Sequence, residues 1–144
     1  MCGICCRLAI ERGGTMNKDA TLVMIADDDG AMRSLLAMVL REHGYRDFVH
    51  ASDGIQASDL MRTAGAALRL AFLDIDMPGA SGLEVLALTR QKRPDCACVI
   101  VSAHSAVENV LAAVRGGAAG FVVKPYSAQK IADVLLKIER AARA

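Results

Sequence analysis

The chain predicts an α/β fold: a doubly wound, five-stranded parallel sheet with helices on both faces. Three observations predict it. Short apolar runs alternate with stretches of helical spacing five times along the sequence. Several of those runs are apolar on both faces, as strands covered on both sides require. Acid, hydroxyl and ammonium side chains recur just after the runs, at Asp27-Asp28-Asp29, Asp74-Ile75-Asp76, Ser102 and Lys124. In open sheets of this kind ligands bind beyond the carboxyl ends of the strands, so those side chains are the candidate site.

The elements follow in order. Thr21–Ala26 is an apolar run of strand length. From Gly30 to His43, apolar residues at Met32, Leu35, Leu36, Val39 and Leu40 repeat with helical spacing, and Gly44 is a natural stop. Asp47–His50 is a short second strand. Asp53 is placed to cap a helix ending near Thr63. Arg69–Leu73 is the third strand, and Met77-Pro78-Gly79 breaks the chain after it. Leu83–Lys92 forms a helix with Leu83, Leu86 and Ala87 on one side, and Pro94 ends it. Ala97–Val101 is the fourth strand. A helix capped by Ser105 runs to Arg115 and stops at Gly116-Gly117. Ala119–Val123 is the fifth strand. Ser127–Ala142 closes the pattern, with Ile131, Val134, Leu135 and Ile138 as its apolar stripe.

Composition bounds the function. A length of 144 residues suits one domain, and 53% hydrophobic content with 3% aromatics means a core of Val, Leu, Ile, Ala and Met. A net charge of +1 gives no bulk attraction to nucleic acid, so direct DNA binding is not expected. No apolar run has the length of a membrane span, and a cytoplasmic setting is expected. The cysteine count is odd, at five, and no regular framework or secretory signal accompanies it, which argues against structural disulfides. Cys96 and Cys98 read as small apolar strand residues. Cys2, Cys5 and Cys6 have no second Cys/His pair at metal-finger spacing, so the plainer reading is an upstream extension. Met16-Asn17-Lys18-Asp19 resembles a natural start, which divides the chain into a disordered extension over 1–19 and a folded domain over 20–144.

The clustered side chains point to one chemistry. Carboxylates at neighbouring strand ends repel one another and are costly to desolvate without a cation between them. A hard divalent ion such as Mg²⁺ meets that need with oxygen ligands and retained water. A lysine and a hydroxyl at the same edge suit an incoming phosphoryl group. Other acids and bases read more plainly: Asp29 as a helix-start acid, Asp53 as a cap, and His43 and His50 as surface groups.

These motifs, with Ser81-Gly82 and the stretches Glu108–Ala113 and Gly120–Tyr126, resemble the response-regulator receiver domain, the CheY-like family of two-component signalling. The resemblance runs from Ala20 to about Arg140. It implies the flavodoxin-like strand order 2-1-3-4-5. It implies that Asp74 is the phosphoacceptor, that Asp28, Asp74 and the backbone carbonyl of Asp76 ligate Mg²⁺, and that Asp27 acts through water. It implies that Lys124 pairs first with Asp74 and then with a phosphoryl oxygen, that Ser102 donates to another, and that the Lys124-Pro125 bond is cis. Ser102 and Phe121 take the places of the family's switch pair, although CheY itself carries Tyr where Phe121 stands. His104 and Asp76 lie two residues past Ser102 and Asp74, at positions that in the family flank the path of the hydrolytic water, and the resemblance implies that they set the phosphoryl lifetime.

The expectation is a single-domain regulator, not an enzyme in its own right. It is phosphorylated by a sensor histidine kinase or phosphotransfer protein and signals through a protein partner; the Val- and Ala-rich helix ending at Arg115 reads either as a docking surface or as a helix merely well buried. Two alternatives stand beside it. Asp74-Ile75-Asp76 also resembles the start of a haloacid-dehalogenase phosphatase motif, but Pro78 stands where that family carries Thr or Val, and its nucleophile normally follows the first strand. The other is a pseudo-receiver that binds partners without being phosphorylated; the complete acid, hydroxyl and lysine set argues against it.

Overall fold

The computed structural model describes residues 17–104 and 106–143. A 3₁₀ turn, Lys18–Ala20, leads into five strands and five helices: β1 (Leu22–Ala26), α1 (Gly30–Glu42), β2 (Asp47–Ala51), α2 (Gly54–Thr63), β3 (Leu68–Asp74), α3 (Gly82–Lys92), β4 (Ala97–Ser102), α4 (Val107–Arg115), β5 (Gly120–Val123) and α5 (Ala128–Arg143). The strands form one sheet in the order β2-β1-β3-β4-β5, and every pairing is parallel. Both the fold class and the strand order expected from the sequence are therefore observed.

Period-two alternation divides the sheet between two cores. Val23 and Ile25 of β1, Leu70 and Phe72 of β3, Val99 and Val101 of β4, and Val122 of β5 face one side, where they meet Leu36 and Leu40 of α1 and Ile131 and Leu135 of α5. Met24, Ala71, Leu73, Cys98 and Ile100 face the other, against Ala57 and Met61 of α2, Val85 and Leu86 of α3 and Ala113 of α4. Each fully buried Leu or Ile contributes roughly 1.5–3 kcal/mol by leaving water. Cys96 and Cys98 are free thiols inside the second core, as small apolar residues should be. Cys2, Cys5, Cys6 and Met16 lie outside the described residues.

The helix starts are chemically specified. Asp29 accepts hydrogen bonds from the Ala31 and Met32 amides and caps α1. Asp53 caps α2 through the Gln56 amide at 2.7 Å. Ser81 and Glu84 form a capping box on α3, which the sequence reading had not included. Gly44, at φ 98°, ends α1 in the left-handed region that glycine tolerates. The expected cap Ser105 lies outside the described residues; α4 begins at Val107 after Ala106, which makes no side-chain cap bond. Elsewhere the expected boundaries differ by one residue. Thr21 precedes β1 and bonds its hydroxyl to the Asn17 carbonyl, while β2, β3 and β4 each run one residue further, to Ala51, Asp74 and Ser102.

Candidate functional site

Three backbone bonds carry the parallel ladder past the formal strand ends. Asp27 N donates to Ala51 O, Ile75 N to Val101 O, and Lys124 N to Ser102 O. They hold the first residues of three loops against the sheet, and the polar groups converge there. Asp27 and Asp28 follow β1, Asp74 ends β3, Ser102 ends β4 and Lys124 follows β5. Because β1, β3, β4 and β5 are successive neighbours in the sheet, residues far apart in the chain meet at one edge.

Lys124 bridges two buried carboxylates. Its Nζ lies 2.8 Å from Asp27 Oδ2 and 3.1 Å from Asp74 Oδ2. The second oxygen of each acid is also held: Asp29 N donates to Asp27 Oδ1, and Asp76 N donates to Asp74 Oδ1. The Asp74 contact was expected from the sequence. The shorter Asp27 contact was not. Asp28 stands exposed beside the pair, and one oxygen from each of Asp27, Asp28 and Asp74 falls within 4.8 Å of the others.

Electrostatics follow from burial. Removal from water pushes the Asp74 carboxyl above its ordinary pKa, and the Asp27 charge adds to this, while the Lys124 contact and the Asp76 amide work against it. Burial opposes the Lys124 charge, but hydrogen bonds to Asp27 and Asp74 outweigh it and hold the ammonium above the usual lysine value. One ammonium cannot neutralise three carboxylates. The donors are all oxygens, two are buried, and the cluster keeps excess negative charge. That set fits a hard divalent cation such as Mg²⁺.

Ser102 is fully buried, and its Oγ accepts the His104 amide at 3.0 Å. Among the described residues no acceptor takes its hydroxyl proton, which is available to be donated. His104 Nε2 lies 3.9 Å from Asp76 Oδ2, with both side chains exposed at the rim. Phe121 is half-buried on β5 and packs against the core under α2, α3 and α4. The Lys124-Pro125 bond is cis. His43 and His50 stand apart from the acid cluster.

Two site-edge residues escaped the sequence reading. Arg33 of α1 donates from Nη1 to the Asp27 carbonyl at 2.6 Å. Tyr126 is half-buried, and burial together with the Asp27 charge raises its hydroxyl pKa to about 12. A lone helical arginine carries no sequence signal for such a contact, and Tyr126 stood out only within the family-like run ending at it.

Comparison with known proteins agrees with this geometry. The model of the response regulator receiver domain family matches residues 23–136. Response regulator protein FleR of Pseudomonas aeruginosa is 34% identical over 118 residues, which is 82% of this chain and 24% of that protein. The alginate biosynthesis transcriptional regulatory protein AlgB of Pseudomonas syringae is 35% identical over 109 residues, 76% of this chain and 24% of that protein. The chain thus spans less than a quarter of the length of these curated relatives. Among solved structures, response regulator protein TrrA of Thermotoga maritima, in complex with Mg²⁺ and BeF, has a TM-score of 0.71 at 30% identity, covering 82% of this chain and 98% of that one. A CheY-like receiver domain protein from Methanospirillum hungatei has a TM-score of 0.77 at 21% identity, covering 85% and 95%, a likeness of fold alone. This chain belongs to the response regulator receiver domain family.

Proposed function

We propose that this receiver accepts a phosphoryl group on Asp74 from a phosphohistidine and relays it as a change of shape to a protein partner. The observation that carries the reading is the bridge of Lys124 between Asp27 and Asp74, with Ser102 at the same sheet edge. Attack by an Asp74 carboxylate oxygen forms a P–O bond as the P–N bond of the phosphohistidine breaks. The electron pair stays on the leaving imidazole nitrogen, which takes a proton from solvent. The transition state spreads charge over the equatorial oxygens. Lys124 exchanges its Asp74 contact for one of those oxygens, and Ser102 donates its free proton to another. Asp28, Asp74 and the Asp76 carbonyl would hold Mg²⁺, with Asp27 acting through water, and the ion would supply charge neutralisation for the phosphoryl oxygens.

Movement of Ser102 toward the phosphoryl group frees space that the Phe121 ring can enter. A phenyl ring has no hydroxyl to offer a partner, so this switch works by packing alone. The donor is a sensor histidine kinase or phosphotransfer protein in the cytoplasm. No helix among the described residues is long and apolar enough to cross a membrane. Output through a protein partner, without direct DNA contact by this chain, is the reading we favour, given the net charge of +1. Transcriptional output is the second reading, because AlgB is a transcriptional regulatory protein. Phosphotransfer profiling against histidine kinases identifies the donor, and specific DNA binding by the purified chain would favour the second output.

The direct test is incubation with Mg²⁺ and acetyl phosphate. Stoichiometric labelling of the wild type and none of Asp74→Asn is the expected result. Continuous turnover of a phosphomonoester would instead indicate a haloacid-dehalogenase-like phosphatase. Beryllofluoride with Mg²⁺ should shift the amide signals of Asp74, Ser102 and Phe121, and their constancy would indicate a pseudo-receiver.

A further inference from the structure

We propose that Arg33 is a positioning residue for the metal-binding carboxylates, acting through the backbone of the β1–α1 loop; this rests on the reading of that loop as a Mg²⁺ site. Arg33 sits one turn into α1, and its side chain runs back to the start of the helix. Nη1 meets the carbonyl of Asp27 at 2.6 Å. That carbonyl lies just beyond the last β1–β2 pair, Ala26 with Ala51, so the guanidinium supplies its donor from the side chain. A charged donor makes a stronger bond than a neutral amide.

The placement of the guanidinium is specific. It lies across Gly30, where a Cβ would stand 3.3 Å from Nη2, tighter than most side-chain contacts. Its Nε is buried without a hydrogen-bond partner among the described residues. The arginine therefore accepts a desolvated nitrogen while holding one backbone oxygen. Its charge also reaches β2: after burial, Arg33 is the largest influence keeping His50 below the usual histidine pKa.

The bond constrains the peptide unit from which Asp27 and Asp28 diverge. Asp27 turns inward to Lys124, and Asp28 turns to the exposed side of the cluster. Both orientations depend on the peptide plane joining the two residues, and the Asp27 carbonyl is its oxygen. Arg33 bonds the carbonyl and not a carboxylate, so it orders the loop without taking up an oxygen that a cation needs.

Charge and position predict opposite outcomes for its removal. By Coulomb's law alone, deleting a cation near three carboxylates strengthens Mg²⁺ binding. If Arg33 positions the loop, deletion weakens it, by about tenfold as for other residues that orient metal ligands. The test titrates MgCl₂ into ¹⁵N-labelled full-length wild type, Arg33→Met, Arg33→Lys and Arg41→Met, following the Asp28 and Asp74 amides. Arg41→Met removes the same charge from the same helix, at a residue stacked on Phe48. R33M should bind Mg²⁺ about tenfold more weakly. R33K should recover most of the loss, and R41M should match the wild type. Without metal, the Asp28 and Asp29 amides should exchange with solvent faster in R33M than in R33K or wild type.

Equal or tighter Mg²⁺ binding by R33M overturns the proposal, as does R33K behaving like R33M. Wild-type protein that takes up no Mg²⁺ indicts the metal-site reading instead; the metal-free exchange rates then decide whether Arg33 orders the loop. Thermal midpoints are recorded for each variant. Should R33M fail to fold, R33K and the milder Arg33→Gln carry the comparison: a Mg²⁺ loss in R33Q that is absent in R33K supports the role, and equal affinities refute it.

Discussion

Lys124 stands closer to Asp27 than to Asp74, at 2.8 Å against 3.1 Å. The ammonium is thus anchored on an acid other than the proposed phosphoacceptor. When Asp74 changes its charge or gains a phosphoryl group, Lys124 keeps one partner and can turn toward the new oxygens. The arrangement also leaves Asp74 undercompensated, since burial and the Asp27 charge raise its pKa.

That imbalance sets a pH-dependent prediction. A carboxyl whose folded pKa exceeds its unfolded value near 3.8 favours the fold fully only below that value. The contribution is lost as pH rises through the folded pKa, so ionised Asp74 weakens the metal-free fold at neutral pH. Asp74→Asn should raise the thermal midpoint at pH 7 by roughly 4 °C, the size of ~1 kcal/mol in a domain of this length. The gain should shrink as pH is lowered toward 4. Melting both proteins in a chelating buffer series checks this, and a variant less stable than wild type at pH 7 would contradict it.

Removing the lysine acts in the opposite direction. Lys124→Ala leaves two buried carboxylates without their ammonium and should cost about 2 kcal/mol, reduced from a fully buried pair because the lysine is partly exposed. A bound cation offsets the same charge. Mg²⁺ at 100 times its dissociation constant adds about 2.7 kcal/mol through linkage, so it should restore the variant to about the stability of the metal-free wild type. Urea denaturation with and without Mg²⁺ measures both effects. A variant that Mg²⁺ does not stabilise would refute the exchange of lysine for metal.

The fold was legible because apolar periodicity and strand-end chemistry agreed at each element. Asp29, Asp53, Gly44 and the acids after β1 and β3 are local signals, and each occupies the place its chemistry demands. Long-range contacts were less legible. The Asp27–Lys124 bridge joins residues 97 apart in the chain, and its length depends on how the β1 and β5 ends align across the sheet. Arg33 looked like any solvated helical arginine because its acceptor is a backbone carbonyl, which carries no side-chain signature. The Tyr45–Glu139 hydrogen bond, which ties the turn after α1 to α5, was hidden as the Asp27–Lys124 bridge was: its partners are 94 residues apart.

His104 and Asp76 come within 3.9 Å across the open rim of the site, and both are exposed. In receiver domains these two positions flank the path of water to the phosphoryl group, and we propose the same role for them here. Truncating either to alanine should shorten the aspartyl phosphate lifetime by about fivefold, equivalent to ~1 kcal/mol off the hydrolysis barrier. Loss of ³²P label after removal of the phosphodonor measures the lifetime. Unchanged decay in both His104→Ala and Asp76→Ala would remove them from this role.

Gly82 links the helix start to the proposed phosphoacceptor. A Cβ there would lie 2.3 Å from the Asp74 carbonyl oxygen and 2.8 Å from its carbon, both backbone atoms that cannot turn aside. Gly82 N also donates to Ile75 O at 3.2 Å, so α3 cannot retreat without breaking that bond. Gly82→Ala should therefore destabilise by about 2–3 kcal/mol, the upper range for overpacking. Any relief must displace Asp74 itself, so the labelling rate of the folded protein should fall as well. Gly65 is the contrast: nothing lies within 4 Å of its would-be Cβ, and its φ lies outside the positive region. Gly65→Ala should be neutral or stabilise by up to about 1 kcal/mol, because the unfolded chain loses freedom. Chemical denaturation of the two variants, paired with acetyl phosphate labelling at matched folded fractions, separates lost stability from lost alignment. Normal labelling by folded Gly82→Ala would show that the α3 contact supports the fold without aligning Asp74.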